Sequence, residues 1–310
     1  MTILKNTDGH FRAIWRILFY FVLFLAISKI FDLLSGSFLL IQGEELSDNQ
    51  LLVNRFITKT LKFLAVLLPA VLLLKYLDKR PVAMLGLGFY KGNLKELSNG
   101  MLIGLVVGSI SIGIIALFGF ASFTLNIIHF ELILYFLFIL IILIISAAFE
   151  EVFFRGYIFQ SLMEGTNLIV TLVIFSLLFG AAHLSNEGVT AYAIIFTVCA
   201  GVFLGVLYYK TRSLWICTGV HYIWNFVVAP VFGIGVDNNR FLNNSIFTYT
   251  PIESNFPIGA EAAGDLIQSI VMLILTVIIW KSSLFKTNSY NAKLWENYPV
   301  KVGFKHKSID

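Results

Sequence analysis

Long runs of apolar residues, separated by polar stretches, dominate this sequence. Eight runs stand out, and each is close to the roughly 20 residues that a helix needs to cross a hydrocarbon core of about 30 Å. They cover residues 13–33, 56–75, 101–121, 132–149, 168–183, 189–209, 214–232 and 265–280. The pattern predicts an all-α, polytopic membrane protein with about eight transmembrane helices.

Composition supports this fold class. Of the 310 residues, 58% are apolar and only 13% are charged, whereas about 25% of the residues in soluble domains are charged. Disordered, disulfide-rich and ordinary soluble proteins are thereby excluded. No internal repeat or low-complexity segment is visible, and no polar stretch has room for an additional soluble domain. We therefore expect one membrane domain over residues 1–310.

The distribution of lysine and arginine predicts the orientation in the membrane. With eight spans and a cytoplasmic N-terminus, 17 of the 22 basic residues fall in cytoplasmic segments and 5 on the opposite side. Short cytoplasmic loops of membrane proteins carry such an excess of positive charge. Both termini are therefore expected in the cytoplasm, and the loop 233–264 is expected on the other side.

Polar and charged side chains inside the apolar region are concentrated in one stretch. A charged side chain at the bilayer centre costs about 2.5–3.5 kcal/mol on insertion scales, and such residues usually face a functional interior. Two directly follow the fourth run, one lies four residues farther on, one is at the end of the fifth run and two are in the seventh. The six candidates are Glu150, Glu151, Arg155, His183, His221 and Asn225.

Helical spacing predicts different partners for the two adjacent glutamates. Glu151 and Arg155 are four residues apart, so they share a helical face and can form an ion pair. Glu150 is turned about 100° away from them and lacks this partner. It is thus the candidate for a free carboxylate. The alternative is that Glu150 only marks the cytoplasmic end of the fourth helix, where charge is tolerated.

The two histidines also have a functional and a purely structural interpretation. His183 follows Phe179 by four residues and Asn225 follows His221 by four, so each pair shares a helical face. A histidine at a helix end can simply bond the last carbonyls, and an asparagine can simply bond between helices. Depth in the membrane favours a common site. If the fourth helix continues to residue 163, a rise of 1.5 Å per residue brings Glu150, both histidines and Asn225 to a similar depth.

A carboxylate, two imidazoles and an amide at one depth suit the hydrolysis of a peptide bond. A carboxylate and an imidazole can activate water as general bases, while a second imidazole and an amide stabilise the oxyanion. No serine or cysteine stands beside a base as a nucleophile, and no HExxH motif is present. A zinc ion held by Glu150, His183 and His221 is the alternative, because two histidines and a glutamate form several catalytic zinc sites.

Three motifs in this stretch resemble a known family. They are Glu150-Glu151-x-x-x-Arg155, Phe179-x-x-x-His183 and His221-x-x-x-Asn225. In this order they are similar to the motifs of the CPBP family, which contains the CAAX prenyl proteases of the Rce1 type and the Abi proteins. The resemblance covers residues 150–225, and it places a protease core at approximately 132–232.

The resemblance implies a role for each candidate residue. Glu150 and His183 would activate the water. His221 and Asn225 would bind the oxyanion, and the remaining glutamate and arginine of the first motif would organise the site. The family has been described as metalloproteases, but its CAAX type is similar to glutamate-dependent enzymes, so we expect that no metal or other cofactor is required.

The implied function is a CAAX-protease-like intramembrane endopeptidase acting on a membrane-associated peptide or protein. The bilayer and this substrate are the expected partners, and no nucleic acid is expected. Members of this compact form are mostly prokaryotic, with roles in pheromone maturation, bacteriocin self-immunity or surface-protein handling, which favours a multi-pass protein of the prokaryotic plasma membrane. The alternatives are a non-catalytic membrane scaffold or immunity protein and a transporter, although the inverted repeats of many transporters are not visible.

Overall fold

The computed structural model describes residues 3–5, 11–38, 48–186, 188–234, 245–252 and 258–298. In chain order the helices are α1 (Ala13–Phe38), α2 (Asp48–Leu72), α3 (Asn93–Leu117), α4 (Phe130–Glu151), α5 (Phe159–Gly165), α6 (Leu168–Ala181), α7 (Ala191–Thr211), α8 (Leu214–Phe226), α9 (Ala260–Lys281) and α10 (Ser289–Asn297). Short π-helical segments follow α2 (Leu73–Leu77), α4 (Val152–Ile158) and α8 (Val227–Val231), and a 3-10 turn covers Val82–Leu85. The strands β1 (Ala121–Leu125) and β2 (Phe247–Pro251) pair antiparallel.

Most helices are long enough for a membrane. Within the described ranges, seven are sufficiently long and apolar to cross one, so the prediction of a helical, polytopic membrane protein is confirmed. The run predicted at 168–183 forms a shorter helical span than the other seven runs, since α6 has only 14 residues. At 1.5 Å per residue α6 is about 21 Å long, shorter than a hydrocarbon core of about 30 Å.

The fourth predicted run continues well beyond residue 149. Helix α4, the π-helical segment Val152–Ile158 and α5 form one uninterrupted apolar span, Leu132–Gly165, of 34 residues. The expected continuation is thus confirmed. Because of this length, the end of α4 lies several turns inside the bundle rather than at its surface.

Helix α1 begins and helix α9 ends on the same face of the bundle, which we call the terminal face. Arg16, near the start of α1, forms an ion pair with Glu164 at the end of α5. Gln160 of α5 donates to the hydroxyl of Tyr208 near the end of α7, at 2.8 Å. Lys210 of α7 in turn donates to carbonyls at the end of α9. The cytoplasmic orientation of this face stays a prediction, and parts of the loop 233–264 and of the tail lie outside the described residues.

The small sheet was not predicted. The third apolar run was expected to continue to residue 121, but α3 ends at Leu117, and Gly119 turns the chain with a φ of 68°. Positive φ values are readily available to glycine. The chain then enters β1, which pairs with β2 from a segment far along the sequence. Each strand has only five residues, and an apolar run of this length does not distinguish a strand from the end of a helix.

Helices α3 and α8 pack with their backbones almost in contact, and this contact positions α8. Glycines at positions 100, 104 and 108 form one row on α3. A Cβ atom at Gly104 would lie 2.4 Å from the carbonyl oxygen of Val220, and one at Gly219 would lie 2.3 Å from that of Leu97. Small residues permit such close approach between membrane helices. Because Val220 precedes His221, the glycine row also sets the position of that histidine.

We expect Gly104→Ala to destabilise the protein by about 1–3 kcal/mol, the usual cost of overpacking. The added methyl group meets backbone atoms of α8, so the two helices must separate. Gly113 of the same helix is the matched control, because a Cβ there would have no atom within 4 Å. Thermal unfolding of the purified protein in detergent measures both variants. An equal effect of Gly104→Ala and Gly113→Ala would contradict the role of the close contact.

Candidate active site

Two adjacent glutamates end α4, and their side chains lie in different surroundings. The side chain of Glu151 is fully buried, whereas 22% of the Glu150 side chain is exposed. Successive residues of a helix are turned by about 100°, which directs Glu151 into the bundle and Glu150 towards its partly open side. The two carboxylates therefore differ in exposure and in the atoms that they face.

Glu151 forms the ion pair that the spacing predicted. Arg155 lies in the π-helical segment, and its Nη1 donates to Glu151 Oε1 at 2.8 Å, with no exposure of either side chain. The guanidinium carbon also lies 4.7 Å and 4.4 Å from the ring centroids of Phe175 and Phe179 on α6. The electron-rich faces of the two rings stabilise the buried cation.

His221 shares this glutamate, which sequence spacing did not predict. Its Nδ1 lies 2.9 Å from Glu151 Oε1, the same oxygen that accepts from Arg155. A carboxylate oxygen accepts the hydrogen bond, so Nδ1 carries the proton and Nε2 faces the other way. Residues 151 and 221 are 70 positions apart, and no local pattern in the sequence signals their contact.

His183 is held by the helix that it terminates. It lies in the turn after α6, and its Nδ1 is 2.8 Å from the carbonyl oxygen of Phe179. The carbonyl can only accept, so Nδ1 carries the proton and Nε2 is left without one in the neutral ring. The structural and the functional interpretations of His183 are therefore compatible, because the capping bond on one nitrogen orients the other.

The three unpaired polar atoms converge on one space. Glu150 Oε2 lies 3.7 Å from His221 Nε2 and 3.9 Å from His183 Nε2. These distances exceed the usual 2.7–3.2 Å of a hydrogen bond. The Oε2 atom is buried and accepts no hydrogen bond from another described residue. A water molecule could bridge Glu150 Oε2 to either imidazole nitrogen at these distances.

Phe179 contacts three members of this group, whereas its spacing in the sequence predicted only a shared helical face with His183. Besides its contact with Arg155, its ring centroid lies 5.0 Å from that of His183 and 6.4 Å from that of His221. Its carbonyl accepts from His183, and its side chain is buried. Phe179 thus packs the arginine and both histidines into one arrangement.

Asn225 forms no hydrogen bond or ion pair with the other candidates in the described part of the chain. It follows His221 by one helical turn on α8, is half-buried, and has no hydrogen bond to another residue in the described part of the chain. Direct contacts within 4 Å join the other five candidate residues: Glu150, Glu151, Arg155, His183 and His221. The amide N–H groups of Asn225 are therefore available for another partner.

The geometry can also be compared with that of a zinc site. Among the described residues, no group of three histidine, cysteine, aspartate or glutamate side chains is arranged as a metal site. In tetrahedral zinc sites with bonds of about 2.0–2.1 Å, neighbouring ligand atoms are about 3.4 Å apart. Glu150 Oε2 lies 3.9 Å and 3.7 Å from the two Nε2 atoms, so each of these pairs is a few tenths of an ångström wider than in such a site.

Comparison with known families agrees with the motifs. Residues 132–227 match the family model Rce1-like, described as type II CAAX prenyl endopeptidase Rce1-like. The match begins in α4, ends in the π-helical segment after α8, and contains all six candidate residues. It covers about a third of the chain, and over these residues the resemblance to the CPBP family is confirmed. None of the curated proteins matches the chain.

We expect Arg155→Met to destabilise the protein by about 3–5 kcal/mol, because it leaves the buried carboxylate of Glu151 without its cation. The double variant Arg155→Met, Glu151→Gln removes both charges and is expected to recover most of this loss. Denaturant or thermal unfolding of the purified variants in detergent measures the difference. A fully stable Arg155→Met protein would show that the arginine does not hold Glu151, and would place it in the chemistry instead.

Proposed function

We propose that this chain, whose residues 132–227 carry the Rce1-like match, is an intramembrane endopeptidase that hydrolyses a peptide bond in a membrane-associated peptide or protein. The observation that carries the proposal is the convergence of the Glu150 carboxylate and two imidazole nitrogens from three helices inside a membrane-spanning bundle. A charge at such depth usually serves a function. By the resemblance, the substrate is cleaved in the manner of a CAAX protease, in the plasma membrane of a prokaryote.

Glu150 and His183 are the proposed activators of water. Hydrolysis needs a base that removes a proton from the attacking water. Glu150 Oε2 and His183 Nε2 are 3.9 Å apart, and neither has another hydrogen-bond partner among the described residues. The capping bond to Phe179 keeps the basic nitrogen of His183 directed at this position. A water between them would give up a proton to one of these two groups, while a lone pair of its oxygen attacks the scissile carbonyl carbon.

His221 and Asn225 are the proposed donors to the oxyanion. Attack on the carbonyl places negative charge on its oxygen, and preorganised donors stabilise that charge. The bond from His221 Nδ1 to Glu151 fixes the ring, so Nε2 donates to the oxyanion when it carries a proton. The amide of Asn225, one turn further along the same face, supplies a second donor. In this proposal Glu151 and Arg155 hold His221 without touching the substrate.

We expect Glu150→Gln to abolish cleavage while the protein still accumulates, because the amide is nearly isosteric but cannot accept the proton. A general base typically contributes about 10²–10⁴ in rate. Glu296→Gln, an exposed position on α10, is the matched control. Peptides released from membranes of cells with the wild-type protein are identified by mass spectrometry and compared with those from both variants. Unchanged cleavage by Glu150→Gln would overturn the proposed function.

We expect the purified enzyme to keep its activity after exhaustive chelation, because the proposal requires no metal. Asn225→Ala is then expected to lower the rate by about 10²–10³, the usual loss for one oxyanion donor. If chelation abolishes activity and zinc restores it, Glu150, His183 and His221 are instead the ligands of a metal. In that case removal of any one of them releases about one zinc ion per chain. Metal content measured on the pure protein distinguishes the two mechanisms.

A further inference from the structure

A second group of charged and aromatic side chains lies on the terminal face, where α7 turns into α8. The turn is formed by Arg212, whose φ of 54° and ψ of 28° are left-handed. Few residues other than glycine adopt this conformation. Asn291 of α10 donates to the Arg212 carbonyl at 3.0 Å, and the hydroxyl of Thr287 donates to the carbonyl of Lys210 at 2.9 Å. The segment after α9 therefore holds the turn in place.

The guanidinium of Arg212 lies among aromatic rings, and no acidic side chain of the described residues pairs with it. Its central carbon is 4.7 Å from the ring centroid of Tyr209 and 4.3 Å from that of Trp295. The guanidinium donates no hydrogen bond to another residue in the described part of the protein and pairs with no carboxylate there. Burial lowers the pKa of Arg212, because the desolvation of its charge is only partly balanced by the neighbouring tyrosines Tyr208 and Tyr209.

The segment that holds this turn carries both basic and acidic residues. Lys281 ends α9, and Lys286 precedes the threonine that bonds to the turn. The nearby carboxylate of Glu96 is already engaged, since Tyr90 and Asn288 both donate to it. On α10, Glu296 is exposed and is accompanied by the exposed Lys293. Neither of these carboxylates forms an ion pair with Arg212 in the described part of the chain.

Aromatic side chains place this group at the level of the lipid headgroups. Trp280, near the end of α9, is 45% exposed and stacks on Tyr209 at 6.0 Å between ring centroids. Tryptophan and tyrosine at the ends of membrane helices lie at the headgroup level. Arg212 immediately follows the span Ala191–Thr211. Its free N–H groups therefore lie at the depth at which phospholipid phosphates are found.

We propose that the turn at Arg212 binds the phosphate of an anionic phospholipid headgroup. A guanidinium offers two parallel N–H donors that match two phosphate oxygens. The positive charge of the guanidinium, which no carboxylate of the described residues balances, together with the lysines of the segment after α9, favours a lipid with a net negative charge over a zwitterionic one. The acyl chains would lie beside the exposed apolar side chains at the end of α9. This binding site is separate from Glu150 and does not depend on the proposed peptidase activity.

The test uses the full-length protein in nanodiscs of phosphatidylcholine with increasing phosphatidylglycerol, and native mass spectrometry counts the lipids that stay bound. We expect the wild-type protein to retain phosphatidylglycerol selectively. Arg212→Gln is expected to bind it about tenfold more weakly, as for the loss of charge-assisted hydrogen bonds. Lys293→Gln, which removes the same charge from an exposed position, is expected to match the wild type. Arg212→Lys keeps the positive charge but lacks the two parallel N–H donors, so we expect its affinity for phosphatidylglycerol to lie between those of the wild type and Arg212→Gln. This variant also provides the test if Arg212→Gln does not fold.

Three results would overturn the proposal. Equal retention by the wild type and both Arg212 variants would show that the arginine binds no lipid. An equal loss in Lys293→Gln would show that only the overall charge matters. Displacement of phosphatidylglycerol by millimolar inorganic phosphate would show that the site takes free phosphate rather than a headgroup. Thermal unfolding in pure phosphatidylcholine nanodiscs verifies that each variant is folded.

Discussion

The arrangement of the candidate site depends on the buried carboxylate of Glu151. One of its oxygens accepts hydrogen bonds from both Arg155 and His221, with no solvent exposure of the ion pair. A charge that is buried away from water needs an opposite charge or hydrogen bonds beside it, since an unpaired buried charge is strongly destabilising. The shared oxygen therefore fixes α8 relative to the end of α4. It also decides which nitrogen of His221 faces Glu150.

Apolar contacts also hold the residues of the candidate site in position. Phe179 contacts Arg155 and both histidines, while its backbone carbonyl orients His183. The glycine row of α3 brings the backbones of α3 and α8 almost into contact. Rigid close packing of this kind permits few alternative positions for a helix. The polar groups of the site are thus held by contacts that have no chemical role of their own.

The short helix α6 connects the architecture with the proposed chemistry. A helix that crossed the whole membrane would carry its last turn, and His183 with it, to the opposite surface. With 14 residues, α6 ends inside the bundle and places His183 within 4 Å of Glu150. The proposed peptidase requires this depth, because its substrate is membrane-associated. The proposed headgroup site at Arg212 lies instead at the terminal face, where the protein meets the lipid surface.

The sequence by itself determined the helical, membrane-spanning fold and the pairing of Glu151 with Arg155. Both depend on local regularities, namely the length of apolar runs and the spacing of residues one helical turn apart. The three motifs also predicted the residues of the candidate site, although not their partners. Only the tertiary structure decided that His221 bonds to Glu151, that Phe179 packs the site, and that β1 meets β2. These contacts join residues far apart in the chain, so they follow from the packing of whole helices rather than from any local pattern.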